Sequence, residues 1–478
     1  MAIRRVSSAV LVGLLLLFVG LGMSAVSGYQ QADVTVHEWG TFTTVAGADG
    51  VAMQWTPLGG ASDLPCFVNH FKNGDYKFLL DNTNPLYDYE TARTGLQGKV
   101  RMETPVLYFY ADRATRLDVG VGFDRGLFTE WYPSAVVSQP AAFKYALSQP
   151  KFRASMRWSG VDVLPGTSPK LLREKAPSHY YAARAVDAAP LRVNGQDEAF
   201  LFYRGVGGFD VPITTTLRDD GSVVVKNTGT EALHGVILFT NRDGKIGYRV
   251  QGAVEGEATL AAPTLDGTFD GLRRELEKTL TARGLFAKEA AAMVETWRDS
   301  WFEEGTRVFY ILPVQAVDGI LPLAINPAPK GVARVFVGRS EVITPAMVES
   351  VKYALNEADQ TLLARYGRFL GPIGERLMVD ARKSGDNDRI RGLLNTALAN
   401  YAAKLGPFFP TVHSNSIRQT SGQIHRQAPH SAGRDPFTSV RTRFRPVARR
   451  ARAPVRPAAV RRPPVWPVAG RLPRRHHD

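Results

Sequence analysis

The sequence predicts an α+β protein: a mainly antiparallel, β-sandwich-like body with helical segments toward the C-terminus and a disordered tail. Three observations carry that expectation. Short β-branched and aromatic runs, punctuated by Gly, Asp and Pro, fill residues 33–261. Helical periodicity takes over at Phe269. Beyond about Gly406 no apolar period survives. The resulting organisation is a signal peptide at 1–28, a β-rich region at 29–265, and a helical pair with returning strands at 266–344. A helical segment follows at 345–405 and the tail at 406–478.

The first strand reads "VTVHEWGTFTT", residues 34–44. It alternates like a half-buried strand, yet Glu38 shares the parity of Val34, Val36 and Phe42. Next come "TPVLYFYA" (104–111), "RLDVGVGF" (116–123) and "LFTEWYPSAVV" (127–137). "ITTTLRDDGSVVVKN" (213–227) is a hairpin, with Gly221 supplying the positive φ of its turn, and "NTGTEALHGVILFT" (227–240) adds another strand. "FDGLRRELEKTLTARG" (269–284) and the following segment to Gly305 read as helices closed by Gly284 and Gly305. Ala290, Met293, Val294, Trp297 and Trp301 share one face of the second, spacing that means core. Strands return at 306–314, 320–326 and 333–343. Thr344-Pro345 then opens a helix with Val348, Val351, Leu355, Ala358, Leu362 and Tyr366 on one face. Helix continues to about Leu405, around a break at 385–388.

The chain has 478 residues and a formal charge of +14. That charge is not spread evenly. Residues 411–478 hold fifteen arginines, no lysine and two aspartates, which leaves 44 basic against 43 acidic residues elsewhere. The body is neutral, so nothing in its net charge marks it as a polyanion binder. The tail cannot bury enough apolar surface to offset its ordering entropy. It reads either as an arm touching anionic surfaces or as a GC-rich gene read in a shifted frame. No specific nucleic-acid module is present.

The N-terminus has the pattern of an export leader. Arg4 and Arg5 precede "AVLVGLLLLFVGLGM" (9–23), and Ala25 and Ser27 suit a cleavage site before Gly28. The expected location is the periplasm or extracellular space; left uncleaved, the run would be an N-terminal membrane anchor. Cys66, the single cysteine, excludes an internal disulfide, and its "LPCFV" setting predicts burial.

Several strings resemble a group of exported bacterial proteins of uncharacterised activity: "VHEWGTFT", "METPVLYFY", "TEWYP", "SHYYAAR", "FLFYRGVG", "SWFEEGTRVFYILP" and "RVFVGRSE". The resemblance spans roughly residues 33–355. It implies export and supplies no activity, ligand or catalytic residue.

Candidate chemistry is sparse. The body has four histidines, His37, His70, His179 and His234, with no HExxH, CxxC or His-x-His spacing. Catalytic candidates are His37, Glu38, Glu130 and His179; metal candidates are His37, Glu38, His70 and His179. They would have to converge from distant segments. No cofactor is assigned: "YRGVGGFD" (203–210) lacks the GxGxxG spacing and reads as a tight turn. There is no GxSxG elbow, and Ser178 beside His179 makes no catalytic pair by adjacency. A carboxylate on a core face must be paired, metal-bound or turned outward. For Glu38 the expected solutions are a bulge at Gly40 that turns it outward, or an ion pair with Arg101 or Arg204. His37 and Trp39 then occupy the opposite, exposed face. Glu303 and Glu304 read as solvated surface at a helix end. The sequence therefore favours a non-catalytic ligand- or envelope-binding protein. The alternative is a metal-dependent or carboxylate-based hydrolase with an assembled site.

Overall fold

The computed structural model describes residues 32–60, 64–70, 96–139 and 152–404, with side chains to 401. The export leader and the Arg/Pro-rich tail expected from the sequence lie outside these residues. Among the described residues no helix is long and apolar enough to cross a membrane.

The strands run in chain order as follows. β1 (Ala32–Ala46), β2 (Asn69–His70), β3 (Val100–Ala111), β4 (Thr115–Asp124) and β5 (Gly126–Tyr132) come first. β6 (Val136–Ser138), β7 (Arg153–Val163), β8 (Leu191–Val193), β9 (Gln196–Glu198) and β10 (Leu201–Gly207) follow. The hairpin β11 (Ile213–Leu217) and β12 (Val223–Asn227) turns at Gly221, whose φ of 79° is the positive value its turn requires. Then come β13 (Leu233–Arg242), β14 (Lys245–Val254) and β15 (Glu257–Leu260). β16 (Gly305–Ile311), β17 (Leu323–Asn326) and β18 (Pro329–Val342) complete the set.

Nine strands form one sheet in the order β14-β13-β16-β18-β1-β3-β10-β5-β2. Its pairings are antiparallel except β1 with β18, which run parallel side by side in the middle. A six-stranded sheet (β17-β4-β7-β8-β9, with β6 on β7) and a three-stranded sheet (β11-β12-β15) pack on one face. That interface holds Val34, Val36, Phe42, Val119, Trp158 and Val225. Helices cover the other face over Trp39, Tyr108, Phe202 and Phe309. The middle strands are thus buried on both sides, and alternation gives way to near-continuous burial.

Helix α1 (Phe269–Ala282) starts at Thr268, whose hydroxyl accepts from Gly271 N, and Gly284 follows its end at φ 110°. Helix α2 (Ala287–Trp301) buries the whole expected stripe from Ala290 to Trp301. A short helix α3 (Val314–Ile320) replaces the start of the strand expected at 320–326. There the apolar run "ILPL" is too short to distinguish helix from strand by period. Helix α4 (Pro345–Asn356) is capped by Thr344 as expected. Its apolar stripe breaks earlier than the spacing suggested: Ala358 turns the chain at φ 52°, and α5 (Gln360–Arg365) restarts on an Asp359 cap. A 3-10 turn over 367–369, α6 (Leu370–Ser384) and α7 (Asn387–Lys404) follow. These helices share a core with Val45 and Trp55.

The glycine-rich "YRGVGGFD" is a strand, not a turn: its first five residues belong to β10. A Cβ on Gly205 would sit 2.3 Å from the Leu127 carbonyl oxygen, so these glycines permit close strand packing rather than chain reversal.

Candidate functional site

Glu38 is fully buried, and its carboxylate is satisfied by partners other than those expected. Tyr203 Oη donates to Oε1 at 2.5 Å and Arg334 Nε donates to Oε2 at 2.6 Å. Arg334 is the residue directly across the parallel β1–β18 pair. Its Nη1 also donates to Asp318 Oδ1 at 2.5 Å. The expected bulge exists on the neighbouring strand, where β3 inserts an extra residue around Thr104, which has φ 45°. It turns nothing outward, because both faces of β1 are covered. Arg101 instead contacts Glu103 at 3.1 Å, and Arg204 Nε donates to Thr104 Oγ1 at 3.2 Å.

His37 and Trp39 do not lie on an exposed face. They sit under the helices, 4% and 0% exposed. His37 Nδ1 donates to Glu289 Oε2 at 2.8 Å, and Tyr110 Oη donates to Glu289 Oε1 at 2.9 Å. The Phe286 N–H also reaches Glu289, at 2.7 Å, so one carboxylate both caps α2 and pins it to the sheet.

The remaining candidates are scattered. His70 and Glu130 are register partners across β2 and β5, and Glu130 faces Arg204 across the next pair. His179 lies elsewhere, 2.8 Å from Asp299 on α2. Ser178 caps its own turn by accepting from Tyr180 N. Among the described residues no group of three or more His, Cys, Asp or Glu side chains converges as a metal site. Cys66 is exposed rather than buried, a correction to its apolar setting: the chain there is a surface turn. Desolvation and the nearby Glu174 push its thiol pKa up.

Sequence reasoning missed an ionic cluster on the helix-facing side of the sheet. Arg307 Nε donates to Glu341 Oε1 at 2.5 Å, with both side chains buried. Arg339 donates to Glu303 at 2.6 Å and to the Ser300 carbonyl at 2.6 Å. Glu303 is therefore committed to the cluster, not to solvent. Arg368 pairs with Glu103, which also accepts from Thr43 at 2.9 Å. Burial pushes the Glu103 carboxyl up, but Arg368, Arg101 and Arg339 pull harder and leave it at about 2. The signal in the sequence was alternation itself: Thr43, Arg339 and Glu341 share a face with core residues.

A cleft of about 1100 Å³ opens between the β11–β12 hairpin, the β13–β16–β18 end of the large sheet, and helices α4 and α6. Leu217, Leu238, Val342, Val348, Met378 and Val379 give it an apolar surface. Hydroxyls of Thr215, Thr240 and Thr306 lie among them. Thr240 and Thr306 bond to each other at 3.1 Å, and Thr215 bonds to Ser340 at 2.8 Å. Arg218, Arg242, Arg376, Arg382 and Arg391 stand around it, together with Asp219, Glu349 and Asp380. Glu375 also lines it, and burial pushes its carboxyl up.

No protein-family model and no curated protein matches the sequence. Among solved structures, the chain is similar at 7% identity to the Fcho1 Mu homology domain of Danio rerio with bound Eps15 peptide. The likeness covers 66% of this chain and 99% of that one at a TM-score of 0.26. A likeness of that size carries no functional argument.

Proposed function

We propose that this is an exported, non-catalytic binding protein whose ligand occupies the cleft between the β11–β12 hairpin, the large sheet and the C-terminal helices. The cleft carries the reading. At about 1100 Å³ it lies just above the usual size of small-molecule sites, roughly 300–1,000 Å³, and it combines apolar surface with polar groups. None of His37, Glu38, His70, Glu130 or His179 lines it. His37 and Glu38 serve instead as buried anchors. The leader-like N-terminus and the strings shared with exported bacterial proteins support the location.

Titration of the purified chain with 1-anilinonaphthalene-8-sulfonate tests the site. One bright binding site is expected, and Val379→Trp, which places an indole into the cleft, weakens it. A parallel screen of ester, phosphoester, glycoside and peptide substrates with added divalent metals is expected to show no turnover. Turnover lost on Glu130→Gln or His70→Ala would replace this reading with a hydrolase built on the one pair of candidates that are neighbours.

A further inference from the structure

We infer that the cleft takes an aliphatic anion, an acyl or alkyl chain ending in a carboxylate or phosphate. The inference rests on the cleft being the binding site and names the class of ligand it would hold. Two features of the lining carry it.

The first is uncommitted positive charge. Among the described residues, the side chains of Arg218, Arg242, Arg376 and Arg382 make no hydrogen bond or ion pair. They come from three elements: the end of β11, the end of β13 and helix α6. Asp219, Glu349, Glu375 and Asp380 also line the cleft, against five arginines once Arg391 is included. Hydrogen bonds from Ser222 lower the carboxyl pKa of Asp220, and Arg218 lies close enough to lower it further. Three of the carboxylates nearby have other partners. Asp380 is 3.7 Å from Lys383, Glu349 is 3.8 Å from Lys352, and Asp243, next to Arg242, is 2.5 Å from Arg365. Guanidinium groups bind carboxylate and phosphate oxygens in forked pairs, which makes either headgroup suitable.

The second is the chemistry of the apolar surface, which is aliphatic throughout. Among the described residues the lining has no Phe, Tyr, Trp or His, and no Asn or Gln. Sugars and bases are held by stacking on aromatic faces and by amide hydrogen bonds. This cleft offers neither. It offers Leu217, Leu238, Val342, Val348 and Met378, with Val379 of α6 left 42% exposed at its surface. On α6 the residues Pro372, Glu375, Arg376, Val379 and Arg382 recur at helical spacing, so charge and aliphatic surface form one stripe.

The test is calorimetric titration of the full chain, below micellar concentrations, with four probes. Dodecanoate and dodecyl phosphate carry chain and charge, dodecyl maltoside carries the chain alone, and inorganic phosphate the charge alone. Both anionic chains are expected to bind, and the two single-feature probes at least about tenfold more weakly, ~1.4 kcal/mol. Preference for dodecyl phosphate assigns a phospholipid-type headgroup, and preference for dodecanoate a free fatty acid. Arg376→Glu with Arg382→Glu is expected to weaken the anions about tenfold while leaving the maltoside unchanged. Arg218→Gln with Arg242→Gln gives an independent second pair. Equal binding of the maltoside and the anions, weakened by Val379→Trp, overturns the anion assignment and leaves the cleft standing. No binding by any chain, with dye binding untouched by Val379→Trp, overturns both.

Discussion

At the scale of single residues, Glu38 illustrates how a sequence rule finds the right question and the wrong partner. Its parity with Val34 and Val36 announces a buried carboxylate. The counter-ion, Arg334, is 296 residues away and identifiable only once β1 and β18 are known to be neighbours. Removing one member of a buried pair strands the other charge, which costs about 3–5 kcal/mol. Arg334→Met is therefore expected to lower stability by roughly that amount, and adding Glu38→Gln should restore part of it. Urea melts of the two variants decide it; an unchanged midpoint in Arg334→Met would remove Glu38–Arg334 from the core ledger. Glu103 gives a pH signature. Its carboxyl is depressed from 4.5 to about 2, so the ion pairs stabilise the fold fully above pH 4.5. That contribution, about 3 kcal/mol, is lost as pH falls from 4.5 toward 2. Glu103→Gln should flatten the urea midpoint across this window. A wild-type and variant that lose stability in parallel would contradict the assignment.

At the scale of elements, local signals located most boundaries. Thr344-Pro345 starts α4, Gly221 turns the hairpin, and the Ala290–Trp301 stripe faces the core. Thr344→Ala should cost about 1 kcal/mol, the usual loss of a cap, measured by thermal unfolding. Glycine meaning was harder to read. "YRGVGGFD" resembles a turn because glycine's permissiveness and its small size look alike in sequence. In the sheet it is size that counts. At Gly338 on β18 a Cβ would come within 2.0 Å of the Tyr310 ring. Gly338→Ala is expected to destabilise by about 1–3 kcal/mol through overpacking, and Tyr310→Leu should relieve much of it. A Gly338→Ala protein as stable as wild type would show that the Tyr310 ring can move aside at no cost. The run at 320–326 is a strand only over Leu323–Asn326, with Ile320 ending α3, because seven residues cannot display enough period to place the boundary between helix and strand.

At the scale of the whole molecule, the large sheet interleaves strands from the start of the described chain with strands from residues 305–342. β18 pairs with β1 on one side and β16 on the other, so β1 and β3 sit in a sheet completed by residues 305–342. The segment 29–265 expressed alone lacks those two strands. It is expected to show no cooperative unfolding transition and poor amide dispersion. A well-dispersed, cooperatively melting fragment would show that the remaining strands suffice. The same interleaving builds the ionic cluster and the cleft, whose walls come from β11, β13, β18 and α6. By itself the sequence determined the α+β class, the helical stripe, the caps and the presence of a carboxylate on a core face. Each depends on period, propensity or charge within a few residues. Only the tertiary structure decided that β1 is covered on both faces, that Arg334 answers Glu38, and that five arginines from distant segments line one aliphatic cleft. Those are contacts between residues far apart in the chain, and no local period encodes which distant strand will lie alongside.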